Sequence, residues 1–379
     1  MSTNFVNTSP RTIPPFRYDI VGSFLRPQAL KEAREKFAAG AINQTDLTGV
    51  ENEEIVKLVA KQKELGLKAV TDGEFRRSYW HLDFFWGFEG VEHVMMDHGY
   101  FFHGEETRAD SARLSGKIAF SNHPFLSHYR FLKEITDDEV VARQCLPAPA
   151  QFFAELVRGV NEKEIATYYP DREELYSDIS AAYRQAILAF YDLGCRNIQL
   201  DDCTWGMLCD KNFWTAMAGE GYDIKELLNL YLRLNNDAIA NLPNDLTITT
   251  HVCRGNYHST WATSGGYAPV ADTLFSSANV QAYYLEFDDD RSGDFAPLTA
   301  VSGDKLVVLG LITSKQPQLE DKAQIIARIQ EASAYVPLDR LCLSPQCGFA
   351  STEEGNILTE AEQWAKIRLV KEIAEEVWG

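Results

Sequence analysis

Several absences narrow the class of this chain before any motif is read. No apolar run approaches the roughly 18 to 20 residues needed to cross a bilayer, which excludes a helical membrane protein. The opening MSTNFVNTSPRT has no basic-then-apolar layout of a secretion signal, so the expected compartment is the cytoplasm. Basic runs are missing too. With 36 Lys and Arg against 55 Asp and Glu, the formal charge is −19, and such a surface repels phosphate backbones and anionic lipid. Nucleic acid and membranes are therefore excluded as expected partners. Low-complexity linkers and internal repeats are also absent, which argues against solenoids and strings of small modules. Cysteine is sparse and odd in number, with seven residues at 145, 195, 203, 209, 253, 342 and 347. That count does not fit a disulfide framework and leaves reduced thiols available as ligands.

What is present supports one large core, since 45% of the residues are hydrophobic and 12% aromatic. Apolar, β-rich runs alternate with helical patterns, the mark of a parallel sheet with crossover helices. The runs are Tyr18–Gly22, Lys68–Asp72, Val140–Leu146, Asn197–Asp201, Leu246–Cys253, Ala282–Phe287, Lys305–Ile312 and Leu341–Cys347. Helices are predicted over 27–39, 45–65, 171–193, 224–241, 319–335 and 359–378, the second ending at Gly66 as a C-cap glycine would. Eight strand-helix units predict a (β/α)8 barrel of the TIM type, with a doubly wound open sheet as the alternative. A barrel needs about 250 residues, so the remainder is expected as an N-terminal helical extension and a long insertion after the second strand. That insertion covers 78–136, is rich in aromatics and His, and should fold as a hairpin or lid. Residues 1–379 are expected to form a single decorated barrel.

The chemistry concentrates at strand ends. His251 and Cys253 close the fifth run, and because strand side chains alternate, residues two apart point the same way. Alone, this pair is weak evidence, since a buried histidine beside a core thiol reads identically. Glu286 closes the sixth run and Cys347 the eighth, which puts four zinc-type donors on the rim where barrel active sites assemble. Two thiolates, an imidazole and a carboxylate suit Zn²⁺ better than Mg²⁺ or Ca²⁺. The carboxylate is the most exchangeable of the four, so Glu286 is expected to yield its place to an incoming thiol, which a zinc ion would hold as thiolate. On the same rim lie Asp72, Gly73 and Glu74 after the second run and Asp201 and Asp202 after the fourth. These acids can hold an ammonium group, although Arg76 or Arg77 pairing explains Glu74 and helix capping explains Asp202 equally well. Gly22 and Ser23 leave the first run where backbone N–H groups could cradle a carboxylate.

Taken in order, Val-Gly-Ser-Phe at 21–24, Asp-Gly-Glu at 72–74, Gln-Leu-Asp at 199–201, His-x-Cys at 251–253, Leu-Glu at 285–286 and Ser-Pro-Gln-Cys-Gly at 344–348 resemble the catalytic barrel of cobalamin-independent methionine synthase over nearly the whole chain. The resemblance implies His251, Cys253, Glu286 and Cys347 as zinc ligands, Glu74 and Asp201 as partners of the homocysteine ammonium, and Ser23 as a partner of its carboxylate. It is closest to the short, single-barrel relatives, a group that includes epoxyalkane:coenzyme M transferase. Where the family shows a Gly-Pro-Val-Thr turn followed by a tryptophan, this chain reads Ala148-Pro149-Ala150-Gln151-Phe152-Phe153-Ala154-Glu155. The implied reaction is zinc-dependent methyl transfer from a methylfolate or related donor to the thiol of homocysteine, giving methionine. Its proton donor is expected among Asp202, His81, His93, His98, His103 and His258. Alkyl transfer to another thiol such as coenzyme M, with Arg76, Arg77 or Lys315 facing a sulfonate, and a non-catalytic zinc-binding accessory role are the alternatives. The sequence leaves open a homo-oligomer or a partner protein that delivers the methyl group.

Overall fold

The structure, a computed structural model, describes residues 11–219 and 221–379. Its framework is a ring of short parallel strands. Strand β1 (Ala69–Val70) leads into the insertion, which contains β2 (Glu89–Met95), the two-residue strands β3 (Phe101–Phe102) and β4 (Glu105–Glu106), and β5 (Asp110–Ala119). The ring resumes with β6 (Val141–Ala142), β7 (Gln144–Pro147), β8 (Asn197–Asp202), β9 (Thr247–Val252), β10 (Ala282–Glu286), β11 (Leu306–Ile312) and β12 (Leu341–Pro345). Strands β7 to β12 pair in sequence order as one parallel sheet, and β6 pairs with β1. Nearly every residue of these strands is buried, as expected of strands covered by helices on one side and by the barrel interior on the other. The chain is a (β/α)8 barrel.

Two expected strands take a different form. Tyr18–Gly22 reaches the ring through one parallel bridge, Tyr18 to Leu343, rather than a full strand. The cause is local: the Asp19 carboxylate accepts the N–H groups of Phe16 (3.1 Å) and Ile20 (2.7 Å), and Arg143 donates to the Ile20 carbonyl at 2.7 Å. Side chains thus take up backbone groups that a ladder would otherwise use. The third run divides at the same Arg143, whose buried guanidinium also binds Asp19 (2.9 Å) and Asn197 (2.7 Å), so β6 serves β1 while β7 serves β8.

Helix ends follow capping chemistry. Helix Gln44–Glu64 begins in a capping box between Asn43 and Asp46, and the chain leaves it through Gly66 at φ 84°, close to the predicted 45–65. The helix expected over 319–335 is shorter, Lys322–Ala332, because Asp321 caps it by accepting the N–H of Gln324. In the insertion, β2 and β5 form an antiparallel ribbon and β3–β4 form its outer hairpin, while helix Pro124–Ile135 returns to the barrel wall against helices Gln44–Glu64 and Arg172–Asp192. The hairpin docks on the segment that follows β9, with His103 N–H donating to the Trp261 carbonyl at 2.7 Å and Thr260 Oγ1 to the His103 carbonyl at 2.9 Å. The insertion therefore sits beside the mouth of the barrel, next to the chain that carries His251 and Cys253.

Candidate metal centre

The register of the parallel strands brings the four expected ligands together. Strand β9 delivers His251 and, one residue past its end, Cys253; Tyr284 of β10 lies opposite His251, which leaves Glu286 just beyond on the adjacent strand. Cys347 follows β12 by two residues. One ligand atom from each of His251, Cys253, Glu286 and Cys347 lies within 4.8 Å of the others, and all four residues are buried. The sulfurs of Cys253 and Cys347 are 3.7 Å apart. That is far too long for a disulfide, whereas two sulfurs each about 2.3 Å from a tetrahedral zinc would stand about 3.8 Å from each other.

The hydrogen bonds point the same way. Nδ1 of His251 faces the Tyr284 carbonyl at 3.3 Å, and Oε1 of Glu286 accepts the Arg254 N–H at 3.0 Å. The remaining atoms, His251 Nε2 and Glu286 Oε2, are buried with no hydrogen-bond partner. Two unpaired acceptors beside two sulfurs would be costly in a dry interior, and a shared cation removes the cost. The Nδ1–H contact to a carbonyl fixes the tautomer that presents Nε2 as a lone pair, the usual outer partner of a metal-bound imidazole. Hydrogen bonding with Cys203 and then burial hold the Cys253 thiol well above its ordinary range, and contact with Cys253 followed by burial does the same for Cys347. Without a cation neither would ionise near neutrality. The donor set fits zinc.

Beside this centre, Glu74 and Asp201 also meet. One acceptor oxygen of each lies within 4.8 Å of the other and of the Cys145 sulfur. Burial pushes both carboxyls up to about 7, against the opposing pull of Arg77 on Glu74 and of the Gln199 amide on Asp201. Glu74 pairs with Arg77 at 3.2 Å through Oε1, while its Oε2 is buried and unpartnered; its backbone stands at φ 61°, a strained angle for a non-glycine residue. Ser23 is buried next to the Cys347 segment, its Oγ accepting the Ala350 N–H at 3.3 Å. Position 348 must be glycine for this contact, because a Cβ there would come within 1.9 Å of Ser23 Oγ.

Ser23, Glu74, Asp201, His251, Cys253 and Cys347 all line one cavity of about 720 Å³. Its outer wall comes largely from the insertion, including Met95, Tyr100 and Phe101. Asp202 is not brought to that cavity. Its Oδ1 accepts Thr204 N (2.9 Å) and Oγ1 (2.5 Å), its Oδ2 accepts Asn235 Nδ2 (2.8 Å), and the residue is wholly buried. The carboxylate ties the end of β8 to helix Ile224–Ala238, so the expectation of a proton donor there gives way to a structural role. Of the five histidines expected as alternatives, His81 and His98 line the cavity. Burial, with Arg158 nearby, lowers His81 to about 3, so it is a neutral ring that donates to the Tyr100 oxygen at 3.0 Å while Tyr100 donates to Glu155 at 2.6 Å. His93 is paired with Asp110 at 2.8 Å and His103 is stacked on Trp261. Sequence reasoning passed over Cys203, a half-buried thiol on the cavity wall beside Cys253, and Cys145 between the two acids. The signal for Cys203 was its position directly after Asp201 and Asp202 at a strand end.

Comparison with known proteins bears on the family and the fold. A family model described as cobalamin-independent synthase, catalytic domain, matches residues 17–95 and 164–375. The Bacillus subtilis protein YxjH is 49% identical over 365 residues, covering 96% of this chain and 95% of the relative. Methionine synthase of Sulfolobus acidocaldarius is 28% identical over 336 residues, covering 87% of this chain and 84% of the relative. Among solved structures, a Listeria monocytogenes protein assigned provisionally as a vitamin-B12 independent methionine synthase superposes with TM-score 0.77 at 44% identity, covering 97% of this chain and 100% of that one. A B12-independent methionine synthase from Shewanella sp. W3-18-1, at 17% identity and TM-score 0.69, shares the barrel fold. The chain belongs to the cobalamin-independent methionine synthase family.

Proposed function

We propose that this chain is a zinc-dependent thiol S-methyltransferase that moves a methyl group from a methylfolate or related donor to homocysteine. The observation that carries the reading is the cluster of two sulfurs, an imidazole nitrogen and a carboxylate oxygen, of which the nitrogen and one oxygen have no other partner. His251, Cys253, Glu286 and Cys347 would hold the metal, and zinc bound there supplies the charge that keeps a substrate thiol ionised at neutral pH. Glu74 and Asp201 receive the substrate ammonium and Ser23 its carboxylate, which aims the sulfur at the ligand cluster. The methyl donor enters from the side walled by the insertion. In the transfer a new sulfur–carbon bond forms as the carbon–donor bond breaks, and the donor atom leaves with the electron pair and takes up a proton.

The two buried acids favour an amino-acid thiol over a sulfonate-bearing one. Arg76 pairs with Glu51 at 2.8 Å and Arg77 with Glu74 at 3.2 Å, and Lys315, though unpaired, is buried away from the cavity lining, so none of these three cations faces a sulfonate there. The test is methionine formation by the zinc-loaded protein from homocysteine, offered with methylfolate and with alternative methyl donors. Turnover is expected with homocysteine and not with coenzyme M; full zinc occupancy with no turnover on any donor would contradict the reading.

A further inference from the structure

Lys315 stands out among the charged side chains near the metal centre. It is 4% exposed, and its Nζ is buried with no hydrogen-bond partner. The backbone that carries it is firmly held. Ser314 N–H donates to Gln346 Oε1 at 2.6 Å, Ser314 Oγ donates to the Gly348 carbonyl at 2.9 Å, and Asn356 Nδ2 donates to the Ser314 carbonyl at 2.8 Å. Lys315 is thereby fixed to the segment that bears Cys347. Lysine is almost never fully buried unless paired, because an unpaired ammonium in a dry interior is costly. The charges acting most strongly on it are Glu286 first, then Asp288, then the sulfurs of Cys347 and Cys253. Glu286 Oε2 and Asp288 Oδ1 are themselves buried and unpartnered.

With zinc on Glu286, the Lys315 ammonium has Asp288 as its neighbouring acid; with Glu286 released, it has two. Two thiolates and a carboxylate bring three negative charges to a dication, and a substrate thiolate brings a fourth. If that thiolate takes the place of Glu286, the released carboxylate needs a cation inside the protein, and Lys315 follows β11 by three residues, on the strand whose Gly310 lies opposite Glu286. Resting on the function proposed above, we infer that Lys315 is a positioning residue that receives the Glu286 carboxylate when the substrate thiol displaces it. In this exchange one carboxylate oxygen leaves the ligand set, one sulfur enters, the thiol proton passes to solvent, and a Glu286–Lys315 ion pair forms. Lys315 touches neither substrate nor donor; it stabilises the thiol-bound state through Glu286.

The test is zinc X-ray absorption of the holoenzyme with and without L-homocysteine, together with calorimetric titration of homocysteine, on wild type, Lys315→Met, Lys315→Arg and Asp288→Asn. All four should begin with one zinc and two sulfur ligands, which also shows that each variant folds. Wild type should gain a third sulfur and lose an oxygen. Lys315→Met should keep the oxygen ligand and bind homocysteine about tenfold more weakly or worse. Lys315→Arg should recover much of the exchange, and Asp288→Asn should leave it intact. Exchange and affinity in Lys315→Met equal to wild type would overturn the inference alone, as would an Asp288→Asn defect as large as that of Lys315→Met, since Lys315 would then serve Asp288. A wild type that gains no sulfur would instead overturn the proposed function.

Discussion

The two sides of the cavity are built on different principles. The thiol side stands on the ends of β8, β9, β10 and β12, where strand register sets each side chain. The donor side is walled by the insertion and by the segment after β7, and it largely coincides with residues 96–163, which the family model leaves unmatched. Rigid strand ends can hold four ligand atoms within a few ångströms because neighbouring strands constrain one another through their ladders. The insertion packs outside the ring, its ribbon against helices Pro149–Leu156, Glu162–Tyr168 and Arg172–Asp192 and its hairpin against the segment after β9, so it can vary without disturbing the strand ladders. Under the proposed function, the chemistry applied to the thiol belongs to the barrel and the choice of donor to the insertion.

Mutations on the two sides should separate accordingly. The largest effect belongs to the ligands: Cys253→Ser should lower methyl transfer by about a thousandfold or more, read as kcat at saturating substrates. Next is Glu74→Gln, which should raise the KM for homocysteine about 30-fold with a smaller change in kcat, because it weakens the grip on the ammonium rather than the nucleophile. On the donor side, Tyr100→Phe removes the hydroxyl that joins His81 to Glu155. It should raise the KM for the donor by a few fold and leave homocysteine affinity unchanged by calorimetry. An equal effect on both substrates would break the division between the two sides.

Acid–base behaviour sharpens the same comparison. Burial raises Glu74 and Asp201 to about 7, above their unfolded values, so between roughly pH 4 and 7 the folded protein holds more protons than the unfolded chain. Stability of the substrate-free protein should therefore fall as pH rises through this window, with a lower Tm at pH 8 than at pH 6. Homocysteine binding should move oppositely, weakening below about pH 7 as the acids lose charge, and Asp201→Asn should flatten much of both profiles. The smallest functional effect is expected for Asp202→Asn. It should cost about 1–3 kcal/mol of stability by denaturant titration through its bonds to Thr204 and Asn235, with kcat little changed.

Much of this was legible in the sequence, and the reasons are physical. The cluster of four donors was readable because strand alternation places His251 and Cys253 on one side and because Glu286 and Cys347 end apolar runs. Helix Gln44–Glu64 was readable from Asn43 and Gly66, whose chemistry is local. Tyr18–Gly22 was read as a strand from its composition, but the bonds of Asp19 and the arrival of Arg143 from the third run depend on tertiary contacts. Asp202 was left between two readings, and its local bonds to Thr204 match the capping one, while its tether to Asn235, 33 residues away on another helix, emerged only with the fold. Lys315 was read only as a cation that could face a sulfonate, and its burial emerged with the fold.

The central claim is most directly tested by zinc content and zinc-edge spectra of the purified protein and of Cys347→Ser. About one zinc per wild-type chain is expected, bound by two sulfurs, one imidazole nitrogen and one oxygen, with loss of most of that zinc in the variant. A wild type that binds no zinc, or a Cys347→Ser protein that keeps it with two sulfurs still bound, would contradict the account.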